Sequence, residues 1–408
     1  MTVAALESLS FGLGHMAAAA AATGHELCLL TADRSVYRHE LATLPDGALT
    51  VVDVDTFDPS ATRRALAALP GLAGLVNSTD TWSVPAADLA AEFGLYGPDP
   101  SAVRLLRDKY RVRELLHRSG LSRGGAVRVA AHPDSTDAVV RAVGLPAVLK
   151  DSSGTSSRNV WIAHDEEALR GALAEAGGRR FMGELFAEAF LAGPLYSAET
   201  LSWGGATRLL GVLSRQTSRQ PAVREEAAAF PVALPPDDFD GIERWVGDVL
   251  HTAGHHSGFA HVEFILTGRG PELVEINRRI GGALVGEVLC GALGTNVYTA
   301  MMEEALGRRP ALMDTPLTPS GRGYAFVLVY ADRPGVLKGW HGIEELAAFP
   351  GNVRWYPTRA PGDSLPPVGD QRGCTGIVLA EAGTAELAQH RAWSAATRVS
   401  AVVADSGP

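Results

Sequence analysis

The stretch from His261 to Gly282, HVEFILTGRGPELVEINRRIGG, constrains the fold more than any other part of the chain. Val262, Phe264, Ile265 and Leu266, then Leu273, Val274 and Ile276, are strand formers, and Gly268 to Pro271 carries turn chemistry, so the pattern predicts a hairpin. A period of two places Glu263, Glu275 and Asn277 on one face of it. Two carboxylates and an amide oxygen make a hard-oxygen site suited to Mg²⁺, which retains waters and shares phosphate oxygens as ligands. A half-exposed hairpin with polar outer positions accounts for one acid per strand equally well. It accounts less well for Glu275-Ile276-Asn277-Arg278-Arg279 running into Gly281-Gly282, where exposed backbone amides could hold an anion.

Composition narrows the partners. With 408 residues the chain has room for two or three domains. A net charge of -10, without a basic stripe, argues against nucleic acid as the main partner. Cys28, Cys290 and Cys374 stand far apart with no CxxC spacing, which fits a reducing, cytoplasmic setting. No apolar run approaches the ~20 residues needed to cross a bilayer, so no membrane partner is expected. Of 36 basic residues only Lys109, Lys150 and Lys338 are lysine, the rest being arginine. Each retained lysine therefore marks a candidate site for a compact ammonium charge.

Residues 1–98 alternate strands (Thr2 to Leu6, Glu26 to Thr31, Leu49 to Val54) with helices (Gly14 to Ala22, Ser60 to Leu69), the signature of a parallel sheet. Gly12-Leu13-Gly14-His15-Met16-Ala17 opens the first helix and Asp33 ends the next strand, a pattern close to a dinucleotide fingerprint. It supports an alternative reading as a nicotinamide-dependent oxidoreductase. Tyr96-Gly97-Pro98-Asp99-Pro100 reads as a boundary, followed by a helix that Asp108 caps. After Lys150 comes Asp151-Ser152-Ser153-Gly154-Thr155-Ser156-Ser157-Arg158-Asn159, a hydroxyl-rich loop between two expected strands. Such a loop can offer amides and hydroxyls to phosphate oxygens beside a neutralising lysine. His251, His255 and His256 read as a helix end before Gly258, since no acidic or cysteine partner completes a zinc set.

Five stretches in order resemble the ATP-grasp enzymes: Asp108-Lys109, Pro146 to Lys150 with its loop, Ala187-Glu188-Ala189-Phe190-Leu191-Ala192-Gly193-Pro194, His261-Val262-Glu263-Phe264, and Glu275 to Arg279. The nearest likeness is to the biotin-carboxylase-like branch that includes L-amino acid ligases and carnosine synthase. This resemblance implies an α/β (α+β grasp) fold in three parts: a Rossmann-like pre-ATP-grasp domain over residues 1–98, a two-part ATP-grasp domain over 99–319, and a small C-terminal α+β domain over 320–408. It implies ATP and Mg²⁺ as cofactors and an amide bond made between a small-molecule carboxylate and an amine through an acyl phosphate. A homodimer is compatible with it, and a non-catalytic ATP-binding protein is the other alternative.

Carried over by position, the resemblance gives Lys109, Lys150, Ser153, Gly154, Ser156 and Ser157 to the ATP phosphates. It gives Glu188, Ala189, Phe190 and Leu191 to the adenine hinge, and Glu263, Glu275 and Asn277 to the metal. Arg279, Glu275 and Lys150 would be catalytic, and Arg279, Gly281, Gly282 and Glu225 would hold substrate. Two departures stand out: Ser156 and Asn159 replace loop glycines, and Ala228 occupies the place of a histidine three residues after Glu225.

Overall fold

The computed structural model describes residues 1–219, 223–317 and 320–405. Strands Thr2–Leu6, Glu26–Thr31, Thr50–Asp53 and Leu72–Val76 form a parallel sheet with Thr2–Leu6 at its centre, as the early alternation predicts. Helices Leu13–Ala22, Pro59–Ala68 and Ser83–Glu92 lie between or after these strands. The loop that leaves Leu72–Val76 at the carboxyl edge of this sheet, Asn77 to Asp80, reaches the cavity described below.

A second, four-stranded antiparallel sheet has the order Ala126–Arg128, Leu185–Ala189, Ala147–Asp151, Val160–Ala163. Its apolar face, including Ala147, Leu149, Ala163 and Leu185, is closed by Val139 of helix Thr136–Val143 and by Leu169 and Leu173 of helix Glu166–Gly177. The hydroxyl-rich loop is the open end of this sheet, joining Ala147–Asp151 to Val160–Ala163. Asp108 caps helix Lys109–Arg118 by accepting from the Arg111 amide at 3.1 Å, so Lys109 is the first helical residue.

The largest sheet is antiparallel throughout and eight-stranded: Gly270–Asn277, Gly258–Thr267, Leu195–Trp203, Ala206–Thr217, Glu225–Phe230, Gly323–Tyr330, Cys374–Ala382 and Arg354–Pro357 in spatial order. The acidic hairpin is its first edge, with Glu263 directly opposite Glu275 and His261 opposite Asn277. The pairing continues through Ala229↔Ala325, so this sheet runs without a break past the expected domain boundary. That boundary, at residue 319, falls outside the described residues. A small sheet of Ser364–Leu365, Gly335–His341 and Ser400–Ala404 completes the chain.

One core cluster joins the first sheet to the largest: Val3 and Leu29 from the one, Phe230 and Phe326 from the other, with Met16 and Met302 between. Each such fully buried side chain contributes roughly 1.5–3 kcal/mol, so the two sheets are firmly seated on each other. That seating carries the Asp80 loop to Arg279. Among the described residues, no helix is long and apolar enough to cross a membrane.

Candidate active site

A cavity of about 880 Å³ lies where the three larger sheets meet. Lys109, Lys150, Gly154, Ser156, Ser157 and the segment Glu188 to Leu191 line one end of it. Glu263, Glu275, Asn277, Arg279 and Gly282 line the middle, while Glu225, Phe11, Leu328 and Ile377 lie toward the far end. Ser153 and Gly281 do not line it: the Ser153 amide donates to Asp151 at 3.1 Å, and the Gly281 amide to Glu199 at 3.3 Å.

At the lysine end, Nζ of Lys109 donates to the Gly154 carbonyl at 2.6 Å and sits 3.1 Å from Glu275, so one ammonium ties the loop to the acidic hairpin. The loop backbone is left-handed at Ser156, Ser157 and Asn159, with φ of 57°, 59° and 57°. The geometry that glycine makes easy is thus kept here with side chains that oppose it. The Glu188 carboxylate is buried against Lys150 at 2.5 Å and Arg113 at 2.9 Å. Burial alone would raise its pKa, but these two cations prevail and hold it below the usual range. The Phe190 amide is already donated to the Pro146 carbonyl at 2.9 Å.

In the middle, Glu263 and Glu275 face each other across the hairpin, and each has its own cation. Arg215 lies 3.3 Å from Glu263, and Lys109 serves Glu275. Burial works to raise the Glu275 carboxyl, but Lys109 and a hydrogen bond from Asn277 Nδ2 at 2.8 Å outweigh it and hold it down to about 2. Asn277 spends its amide nitrogen on Glu275, which leaves its carbonyl oxygen for a cation. No group of three or more His, Cys, Asp or Glu side chains converges as a metal cage among the described residues. Two ionised carboxylates and a carbonyl oxygen instead fit Mg²⁺, which takes few protein ligands and completes its octahedron with water and phosphate.

Arg279 is more engaged than its sequence suggests. Its Nε and Nη2 donate to Oδ2 of Asp80 at 2.9 and 2.5 Å, and its Nη1 to the Ile280 carbonyl at 3.0 Å. Although burial disfavours charge at Asp80, Arg279 and Arg107 keep its carboxyl below the ordinary value. Asp80 escaped the sequence reading because 199 residues separate the pair. The available signal was its place just past a parallel strand, where such sheets direct ligand-facing loops.

Toward the far end, Nε of Arg215 is 2.7 Å from Oε1 of Glu225, yet neither atom makes a directed hydrogen bond there. Burial raises the Glu225 carboxyl, and Arg215 offsets this only in part. His261 lies between Glu199, 2.5 Å from Nδ1, and Arg215, 2.8 Å from Nε2. Ala228 is the cross-strand neighbour of Arg215.

The nucleotide fingerprint near the amino terminus has a different purpose. The Gly12 and Gly14 amides, which would have to bind a pyrophosphate, both donate to Oε2 of Glu40, at 3.2 and 3.1 Å. Gly12 has φ 106°, and a Cβ there would strike the Tyr298 hydroxyl. The glycines serve a close helix contact and an internal anion, which removes the footing of the nicotinamide reading. Asp33 accepts from the Ser35 amide at 2.8 Å, capping the next turn.

Comparison with known proteins fits this geometry. Residues 143–287 match the ATP-grasp domain family, and residues 327–404 match the L-amino acid ligase C-terminal domain 2 family. Residues 143–287 thus carry an ATP-grasp domain. The chain is 27% identical over 322 residues to protein y4rH of Sinorhizobium fredii, an alignment covering 76% of the chain and 64% of the relative. It is 28% identical over 272 residues to human carnosine synthase 1, covering 62% of the chain and 32% of that protein. The matched region thus spans less than two thirds of either relative's length. The fold is shared with the crystal structure of an L-amino acid ligase from Bacillus licheniformis, at TM-score 0.81 and 20% identity, covering 99% and 98% of the two chains.

Proposed function

We propose that this chain is an ATP-dependent ligase that joins a carboxylic acid to an amine, with an amino acid on at least one side, and releases ADP and phosphate. The observation that carries the reading is the gathering of charges in one cavity: Lys109 and Lys150, Glu263 and Glu275, and Arg279. This set suits a triphosphate whose terminal group meets a carboxylate. In this reading residues 1–98, 99–319 and 320–408 act as pre-ATP-grasp, ATP-grasp and substrate-completing parts. Both ligated substrates are small molecules.

One carboxylate oxygen of the acid attacks the γ-phosphorus of ATP and the bond to ADP breaks, giving an acyl phosphate. The amine nitrogen then attacks the acyl carbon, phosphate leaves with that oxygen, and the nitrogen loses a proton. Mg²⁺ held by Glu263, Glu275 and Asn277 would supply charge neutralisation between phosphoryl oxygens and the acid. Lys109 and Lys150 neutralise phosphate from the other side, and the Ser156 and Ser157 loop covers it. Arg279 orients the acid with the donors that Asp80 leaves unused. This chemistry depends on positioning and electrostatics rather than on a covalent intermediate with the protein.

The test is incubation with ATP, Mg²⁺ and paired acids and amines, the acid carrying ¹⁸O in its carboxylate. The expected outcome is ADP release that depends on both substrates, one labelled oxygen in the phosphate, and a product lighter than its parts by one water. AMP and pyrophosphate, or unlabelled phosphate, would refute the acyl-phosphate route. ATP binding without substrate-dependent turnover would return the chain to a non-catalytic binding role.

A further inference from the structure

Arg113 does not line the cavity, yet its guanidinium reaches both of the sheets that clasp the lysine end. Its Nε donates to Oε2 of Glu188 at 2.9 Å, in the four-stranded sheet, and its Nη2 donates to the Leu273 carbonyl, in the acidic hairpin. Nη1 is held by Ser122 Oγ at 3.0 Å. Leu273 is two residues before Glu275 on one strand, and Glu188 holds Lys150 through its other oxygen at 2.5 Å. Arg113 and Glu188 are 4% and 5% exposed, so water does not screen the contact.

We propose that Arg113 is a positioning residue for the nucleotide site: it satisfies one oxygen of Glu188 so that Lys150 is steered by that carboxylate rather than captured by it, and it fixes the distance from Lys150 to the metal-binding strand. The inference rests on the ligase reading above. The physical argument is one of charge balance. A buried carboxylate with one cationic partner draws that partner in closely, because nothing else offsets its desolvation. With Arg113 on Oε2, Lys150 needs to give Glu188 only one of its three N–H donors, and two stay free for phosphate oxygens. The planar fork also spans two sheets at once, which the single point of a lysine cannot do.

The experiment is a double-mutant cycle on the full chain, read by calorimetric titration with a non-hydrolysable ATP analogue and Mg²⁺. Arg113→Lys is expected to weaken analogue binding roughly ten- to hundredfold, the scale of one charge-assisted hydrogen bond, while KM for the acid stays as in wild type. Glu188→Gln is expected to weaken binding too. In the double variant the Arg113 change is expected to add less than about twofold, because its effect passes through Glu188. Losses that multiply, or an Arg113→Lys variant with wild-type affinity, overturn the proposal. Should Arg113→Lys fail to fold, Arg113→Gln with Glu188→Gln is compared with Glu188→Gln alone: equal affinities support the proposal and a further loss overturns it. A wild-type protein that binds no nucleotide defeats the ligase reading as well, whereas binding with multiplicative losses defeats only the role of Arg113.

Discussion

Replacing Arg279 by lysine separates a substrate contact from a structural brace. Three of the five N–H donors of Arg279 are used internally, two on Asp80 and one on Ile280. Two remain, enough to fork onto the acid and then onto its acyl phosphate. A lysine keeps the buried charge that Asp80 needs, so the fold should survive. Its ammonium has three donors on one atom, however, and once Asp80 takes its share no planar pair remains. Losing a charge-assisted contact of roughly 1.5–3 kcal/mol lowers kcat/KM for the acid by about one to two orders of magnitude. The assay is steady-state kinetics with the acid varied at saturating ATP and amine, alongside analogue titration. ATP-analogue affinity should stay close to wild type, since Lys109, Lys150 and the loop supply it. If Arg279→Lys weakens ATP binding and acid use equally, or alters neither, Arg279 is a brace and the substrate role is wrong.

Three further outcomes follow from the same geometry. Glu275→Gln keeps the shape but removes the charge facing Lys109 and the cation, so turnover should collapse with the melting temperature nearly unchanged; near-normal rates at limiting Mg²⁺ would rule out the ligand role. His255 is buried, its Nε2 3.1 Å from the Gly258 carbonyl, and burial with Arg278 nearby pushes its pKa down to about 3. Below pH 6.5 the unfolded chain takes up a proton that the folded chain refuses, so between pH 6.5 and 5 wild type should lose about 2 kcal/mol relative to His255→Gln in urea titrations; parallel curves would contradict this. At Ser157, with φ 59°, a β-branched side chain is disfavoured, so Ser157→Val should lose about 1–2 kcal/mol that Ser157→Gly does not; equal stabilities would mean that the loop relaxes freely.

The sequence carried the local part of this molecule well. Strands Thr2–Leu6 and Glu26–Thr31 stand where periodicity put them, and the period-two acids of the hairpin meet as Glu263 opposite Glu275. These features are encoded within a few residues. What the sequence hid are partnerships between distant segments: Asp80 with Arg279, Glu188 with Arg113, Glu40 with Gly12 and Gly14. No local period encodes such a pair, and each was decided by how two sheets pack. The glycine pattern near the amino terminus misled for the same reason, since a tight strand-to-helix turn is alike whether its amides face a cofactor or a glutamate. Ser153 and Gly281 were expected at the site because their neighbours belong there, but their amides are engaged within the protein.

The unbroken eight-stranded sheet bears on how such a protein could be re-engineered or recombined. Specificity is often altered by exchanging a carboxyl-terminal module at a linker, but here any cut between Phe230 and Gly323 runs along a seam of paired backbone, Ala227↔Val327 to Phe230↔Tyr324. The seam is covered by small side chains, Ala227, Ala229, Ala325 and Ala380, against Ala385, Ala388 and Ala392 of helix Ala385–Ala396. A foreign module with one larger residue there would lift the helix from the sheet, and one with a shifted register would turn its lining side chains to the wrong face. Chimaeras that carry Glu225–Phe230 together with everything after it keep this seam native and transfer the joins to strands Ala206–Thr217 and Leu195–Trp203, the latter facing Gly258–Thr267, so the transferable unit is larger than the matched carboxyl-terminal segment.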